Sequence, residues 1–413
     1  MAQEEWFDGF MSGGDQHILR KIFGSVEFRL IVAWLAVVIV TVLLDSNHTY
    51  WTQPDEAAIQ ILRNTVLLGF FALGSAVIII SGGIDLSSGS VIALSATVFG
   101  SLLIIIDPEG FKAGTLSGTA VWLSIGGTLC VAIMVGTLHA WLITCVGLPP
   151  FIATLATLVG LRSLGRGLAP IVTAGKSQID FPDRVWRDSL KDLTTVTILF
   201  IVVAIIIWIL MSRTVIGRHL HAMGGNEQAA KLSGIRTDRL KWLAYIIGAV
   251  TASIVGIISF AEYGSAKPDI MARGYELNAI ASSVIGGCSL LGGVGTIPGV
   301  ILGALFLRTV IDSVNKIVGA GADVFEGMIV GIVVVLAVTF SQRTERTLVR
   351  RYFATPIGWA AIPVLGLLTG IAFMLFFNEQ NWYAAYQAAI FGVVVTVCLA
   401  IRSFYELQSQ NRK

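Results

Sequence analysis

Apolar runs of about twenty residues recur along the whole of this chain, and they constrain its fold more than any other feature. A run of that length matches the hydrocarbon thickness of a bilayer. Candidates lie at about 30–44, 61–80, 90–106, 119–143, 151–172, 194–211, 242–263, 276–293, 297–318 and 325–340, with two more at about 359–377 and 384–401. Only 13% of the 413 residues are charged, against about 25% in soluble domains. The expected fold is an all-α polytopic membrane protein with about ten core transmembrane helices and an appended C-terminal hairpin of two. That hairpin follows Arg351 and is expected to lack the small-residue pattern of the core. The first run is followed by no small-residue cleavage site and reads as a retained span. A net charge of +2 gives no reason to expect nucleic acid as a partner.

The basic residues set the expected orientation. Arg20, Lys21 and Arg29 precede the first span; Arg213, Arg218, Lys231, Arg236, Arg239 and Lys241 fill the loop 212–241; Arg343, Arg346, Arg350 and Arg351 fill 341–356; Arg402, Arg412 and Lys413 end the chain. Counting spans alternately puts all four segments on one face, expected to be cytoplasmic together with both termini. The segment 173–193 fits worst: it is expected outside yet holds Lys176, Arg184, Arg187 and Lys191. The domains expected are a cytoplasmic segment 1–29, a transmembrane domain 30–342 and a linker, hairpin and tail at 343–413.

"SGGIDLSSGS", residues 81–90, interrupts the apolar pattern between two spans. Backbone polar groups cannot go unsatisfied in hydrocarbon, so such a segment must be buried in protein or line water. Gly82 and Gly83 permit backbone angles other residues resist. Asp85, Ser87 and Ser88 can cap a helix starting near Ser88 or Gly89. Asp85 is open to three readings: cap of a re-entrant turn, group beside a translocation path, or part of an ordinary turn outside the bilayer. The stretch from Gly82 aligns without gaps to "GGCSLLGGVGTIPGVILGALFL" from Gly286, pairing Gly82 with Gly286, Gly83 with Gly287 and Gly89 with Gly293. Two glycine-broken segments in corresponding halves point to a transporter's central site. The candidate gate residues are therefore Gly82, Gly83, Asp85, Ser87, Ser88, Gly286, Gly287, Ser289, Gly292 and Gly293. His139, an isolated polar group in an apolar span, is a helix contact or a path residue. Gly126, Gly127 and Gly136, and Gly295 and Gly299, fit close helix approach.

Enzymatic signatures are missing. There is no H-E-x-x-H and no G-x-S-x-G, and Cys130, Cys145, Cys288 and Cys398 show no metal spacing. No catalytic residue and no metal site are expected. "PIVTAGKS" (Pro170–Ser177) imitates a phosphate-binding loop, but Pro170 replaces its first glycine and a membrane span precedes it. Any ATP-driven step needs a separate chain. Intramembrane acids and bases look sparse, which disfavours a carrier with its own charged relay.

Within the basic loop, "NEQAAKLSGI" reads as a short helix capped by Asn226 and ended by Gly234. "QAAKLSG" resembles the E-A-A-x-x-x-G loop of bacterial ABC importer permeases, with Gln228 in place of the first Glu. Together with "SGGIDLSSGS", "LPPFIATLATLVGLRSLGRGL" and "AIASSVIGGCSLLGGVGTIPGVILGAL", it makes residues 30 to 342 resemble the ribose/xylose/arabinose-type sugar permease family. That resemblance implies an inner-membrane permease for a pentose or hexose, paired with a second copy or a sister permease. It implies two ATP-binding subunits or a tandem one, with ATP and Mg bound there, and a periplasmic sugar-binding protein. The docking residues it implies are Gly224, Gly225, Asn226, Glu227, Gln228, Ala229, Ala230, Ser233 and Gly234. Gln228, His139 where Asn is expected, and the hairpin depart from the family pattern. A permease for another small polar solute, such as a branched-chain amino acid or a sugar-like signal, is the alternative; a secondary carrier or channel without ATPase is the rival of a different class.

Overall fold

A computed structural model of the chain describes residues 25–45, 49–318, 327–328, 330–332, 335, 356–377 and 382–408. The described elements are helices, apart from one two-residue strand pair. Among the described residues, eight helices are long and apolar enough to cross a membrane. They are α1 (Val26–Leu44), α3 (Pro54–Ile80), α4 (Ser88–Ile106), α6 (Gly118–Thr144), α7 (Pro150–Val172), α9 (Leu193–Arg213), α12 (Thr237–Tyr263) and α14 (Ile297–Val318). Short elements connect them: α2 (Thr49–Thr52), α5 (Pro108–Ala113), β1 (Ile179–Asp180), α8 (Arg184–Lys191), α10 (Val215–Gly225), α11 (Glu227–Leu232), β2 (Ser265–Ala266) and α13 (Tyr275–Ile285).

Eight of the expected spans are thus present with shifted ends. The candidate at 276–293 is not a span. Its helix, α13, has 11 residues, about 16 Å at 1.5 Å per residue, roughly half a hydrocarbon core. Gly287, at φ +92°, ends it in a left-handed turn. Most of 325–340 lies outside the described residues, so a core of ten spans is not established.

The chain divides into two compact units, the first reaching Lys316. Within it, α3, α4 and α12 are central: their spans are buried over 83%, 72% and 72% of the apolar window, against 6% for α1 and 22% for α9. Small residues explain the close central packing. A Cβ at Gly74 would run into Thr251 and the Gly248 backbone, and one at Gly256 into the Ile92 carbonyl and Ser95. Gly136 of α6 rests on the α12 backbone at Tyr245 and Ile246, whereas Gly126 meets nothing within 4 Å. With lipid as apolar as leucine, such van der Waals fit rather than hydrophobic exclusion selects the helix partners. The outer α1 is tied to α14 by polar contacts, Trp34 Nε1 donating to Thr309 at 2.9 Å and the Thr41 hydroxyl to Ser313 at 2.7 Å.

The basic segment 173–193 is partly explained by structure. Asp183 caps α8 by accepting the Val185 and Trp186 N–H groups and also takes the Leu116 N–H. Arg187 donates to the Ala261 carbonyl near the end of α12 at 3.0 Å, and Lys191 pairs with Asp188 at 3.0 Å. Of its four cations, Arg187 thus ties α8 to α12, while Lys191 pairs within α8.

In the second unit, α15 (Pro356–Phe377) and α16 (Trp382–Gln408) pack on each other. The expectation that this hairpin lacks small-residue contacts is corrected. Gly366 lies against Gly392 and Thr396, and Gly392 against the Gly366 carbonyl and the Gly370 backbone.

Gly136→Leu is expected to lower the thermal unfolding temperature of the detergent-purified protein. Its side chain must displace backbone, an overpacking cost of about 1–3 kcal/mol or more. Gly126→Leu, facing open space, is expected to change it little. Fluorescence-detected unfolding of both variants checks the contrast.

Candidate functional site

The first broken segment begins where α3 stops. A helix end leaves four carbonyls without intrahelical donors, and here each finds one. The Ser81 N–H reaches the Val77 carbonyl, the Gly83 N–H that of Ile78, the Gly82 N–H that of Ile79 and the Gly293 N–H that of Ile80. Gly82, at φ +86°, makes the turn possible. The last of these bonds, at 2.9 Å, crosses to the second broken segment.

The second segment repeats the turn. The Gly287 N–H binds the Val284 carbonyl and the Cys288 N–H that of Ser283, with Gly287 left-handed. By geometry Gly82 corresponds to Gly287, not to Gly286 as in the ungapped alignment. The segment is also longer before its next helix, because α14 starts at Ile297 with Thr296 accepting from Gly299 and Val300. Ser289 closes this loop on itself, its N–H donating to the Val294 carbonyl and its own carbonyl accepting from Gly292.

Helix α10 joins the two segments. Gly224 presses on the Ile80 carbonyl and the Gly293 amide; a Cβ at Gly292 would reach Gly224 and Gly82, and one at Gly293 would reach Gly225. His221 Nδ1 lies 3.1 Å from the Gly293 carbonyl. Residues read from sequence as two groups, docking and gate, therefore form one backbone-to-backbone contact at Gly82, Gly224, Gly225, Gly292 and Gly293.

Beyond Gly83 the chain leads into α4. Ser87, not Asp85, is the cap residue: its carbonyl accepts from Ser90 and Val91. Asp85 holds Ser87 in place, accepting its N–H at 2.7 Å and its hydroxyl at 2.6 Å. Asp85, Ser87 and Ser88 are buried. His139 Nε2 lies 2.7 Å from the Thr157 hydroxyl and 3.3 Å from that of Ser87. Since Ser87 donates to Asp85 and Thr157 to carbonyls of its own helix, Nε2 supplies the proton. His139, fully buried, is a bracket between α4, α6 and α7.

Sequence reasoning missed a deeper group. Arg162 is the thirteenth residue of the 23-residue α7, so it lies roughly 15–18 Å from either helix end. Buried, it donates from Nη1 to the carbonyls of Pro268 and Met271 at 3.0 and 2.9 Å. It thereby satisfies the irregular segment between β2 and α13. Glu276, at the start of α13, lies against Gly89 in the first turn of α4. Its Oε2 is buried without a hydrogen-bond partner. Charges at membrane depth are thus less sparse than expected. The signal was present: "GLRSLGR" puts two arginines inside an otherwise apolar span.

The remaining expected docking residues lie at the end of the bundle that carries α10. Asn226 caps α11 by accepting the Ala229 N–H at 2.9 Å. Glu227 is bonded to Lys241 at 2.7 Å and to Lys231 at 3.0 Å. Burial raises the Glu227 pKa, but the Lys241 and Lys231 hydrogen bonds outweigh it and hold the carboxyl below its usual range. A lowered native pKa contributes stability above the unfolded value that is lost only as pH falls through the native one, so the pair persists at neutral pH. Gln228, Ala229, Ser233 and Gly234 are exposed and Ala230 is buried. Leu232, absent from the expected set, is 90% exposed. Among the described residues no three metal-ligating side chains converge.

Gly224→Ala should force the two broken segments apart and break the Gly293–Ile80 bond. Amide exchange in 81–87 and 286–296 is expected to accelerate at least tenfold, whereas Gly225→Ala, whose Cβ meets nothing within 4 Å, should leave it unchanged. Hydrogen–deuterium exchange with mass spectrometry checks both.

No solved structure matches this chain. Ribose import permease protein RbsC of Escherichia coli K12 is 31% identical over 328 residues, covering 78% of this chain and 95% of that protein. D-allose transport system permease protein AlsC of the same strain is 35% identical over 61% of this chain and 72% of its own. Autoinducer 2 import system permease protein LsrC of Photorhabdus luminescens is 30% identical over 71% and 83%. The model of one family, described as branched-chain amino acid transport system / permease component, matches residues 57–338, and the chain belongs to that family of membrane permeases.

Proposed function

We propose that this chain is the translocation subunit of an ABC importer for a monosaccharide, a pentose or hexose, with ATP hydrolysed on a separate subunit. The observation that carries the reading is the seating of α10. The loop that bears α11 is fastened by glycine backbone contacts to both broken segments at once. A push on that loop therefore reaches both segments without passing through flexible side chains.

Under this reading α11 is the docking element. Leu232 projects from it, uncovered among the described residues, while Asn226 and the Glu227–Lys241 pair fix its direction. The ATP-binding subunits, two copies or a tandem, would hold ATP and Mg. A periplasmic sugar-binding protein would deliver solute to the opposite end, and a second copy or sister permease would complete the path. Six described spans separate the basic residues before α1 from the basic loop 212–241, which supports an inner-membrane orientation with the N-terminal segment and the α10–α11 loop cytoplasmic; a cytoplasmic C-terminus is part of the proposal. Ribose and allose permeases among the relatives, one covered over 95% of its length, favour a sugar over a branched-chain amino acid. A carrier acting alone gains some ground from the buried charges, yet it leaves the α10 contact without a purpose.

Leu232→Asp is the test. Covering a leucine contributes about 1.5–3 kcal/mol, or at least tenfold in affinity. The P-loop ATPase recovered with the tagged protein from native membranes is expected to fall below a tenth of the wild-type amount. Gly234, at φ +83°, is a poorer site for the test, since any side chain there also strains the backbone. Wild type that brings down no ATPase in mild detergent would contradict the importer reading.

A further inference from the structure

The segment from Gly264 to Gly274 is irregular apart from β2, leads into α13 at Tyr275, and runs deep into the bundle. Its start pairs with β1, Ile179 facing Ala266. Pro268 packs on Gly165 of α7, and Ala272 and Glu276 lie against Gly89, one residue into α4. Its carbonyls at Pro268 and Met271 are held by Arg162 at the middle of α7. Irregular backbone at this depth occurs only where it is buried in protein or lines water.

One side of the segment is not buried. Arg166, four residues beyond Arg162, pairs with Asp269 at 3.2 Å, and the two side chains are 46% and 52% exposed. Lys267, Asp269, Ile270 and Arg273 are all exposed. Arg166 lies six residues, about 9 Å, inside the end of α7. Charges at such depth face a protein interior or a water-filled cavity, not lipid. The exposed faces of α1 and α9, by contrast, are apolar. The chain therefore has a lipid-facing side and one membrane-depth side that lipid cannot cover.

We propose that the 264–276 segment, with the Arg162–Arg166 face of α7, is the water-lined wall of the translocation path, and that Glu276 accepts hydroxyls of a neutral polyhydroxylated solute passing along it. The solute class deepens the importer reading and rests on it; the wall itself does not. A neutral polyol suits this wall because carboxylates (Asp269, Glu276) and cations (Arg162, Arg166, Lys267, Arg273) stand along it as acceptors and donors for hydroxyl groups. Glu276 has a carboxylate oxygen with no hydrogen-bond partner among the described residues, beside a helix N-terminus that favours negative charge. Arg162, with its two carbonyls, positions the segment.

The first test labels the assembled transporter in spheroplasts with a charged, membrane-impermeant methanethiosulfonate. The exposed Cys130, Cys145 and Cys398 are replaced by Ala, and Ile270→Cys is compared with Ile201→Cys on the apolar face of α9. Ile270→Cys is expected to react at least tenfold faster; equal rates would overturn the wall. Glu276→Gln tests the contact with solute, using whichever of D-ribose and D-allose the wild type accumulates. Uptake is expected to fall at least tenfold with membrane amount and ATPase retention unchanged, and undiminished uptake would overturn the role of Glu276. Fast labelling at Ile270 in a chain that retains no ATPase would overturn the importer reading and leave the wall standing.

Discussion

A helix end leaves carbonyls without intrahelical donors, and the fold depends on how this chain satisfies those of α3. Three are closed locally by the turn at Gly82. The fourth, on Ile80, takes its proton from Gly293, more than two hundred residues away. That single bond makes the two broken segments structural necessities of one another. It also explains why so many glycines crowd there: two irregular loops and a helix approach backbone to backbone, and side chains on Gly224, Gly292 or Gly293 would separate them.

The same principle governs the other irregular stretch. Between β2 and α13 no neighbouring loop offers donors, so a buried arginine does. Arg162 gives one guanidinium nitrogen to two carbonyls and avoids lipid by facing inward. The two solutions have different consequences. Glycine contacts bind α10 and both loops into a compact block, while the arginine strut holds a segment whose outer side stays open. Under the proposed reading, force applied at α10 and passage along the open segment would be served by separate devices in one bundle.

The spans were legible because hydropathy at helical length is a strong signal, and eight of the expected segments stand within a few residues of where they were read. The glycine breaks were legible too, since Gly-Gly followed by Asp and Ser cannot continue a helix in lipid. What the sequence hid was partnership. Nothing local to "AMGG" says that it belongs with "SGGID" and "LGGVG", because the contact is made by absent side chains. Asp85 reads from sequence as a lone charge, yet it steadies Ser87; the pairing of Arg162 with the 268–271 backbone is not legible, because its partners are carbonyls more than a hundred residues away. The half-length α13 was misread as a span, since "IASSVIGG" keeps its hydropathy past the point where Gly286 and Gly287 end the helix.

If the account is right, α10 and the two broken segments move as one body when the transporter changes state. The most direct measurement is the Gly293 N to Ile80 O separation in structures of the assembled transporter in lipid, with and without nucleotide on its partner. A bond near 2.9 Å in both states, with α10 displaced between them, is the predicted result. A displaced α10 that leaves this bond broken, or leaves either segment behind, would contradict the account.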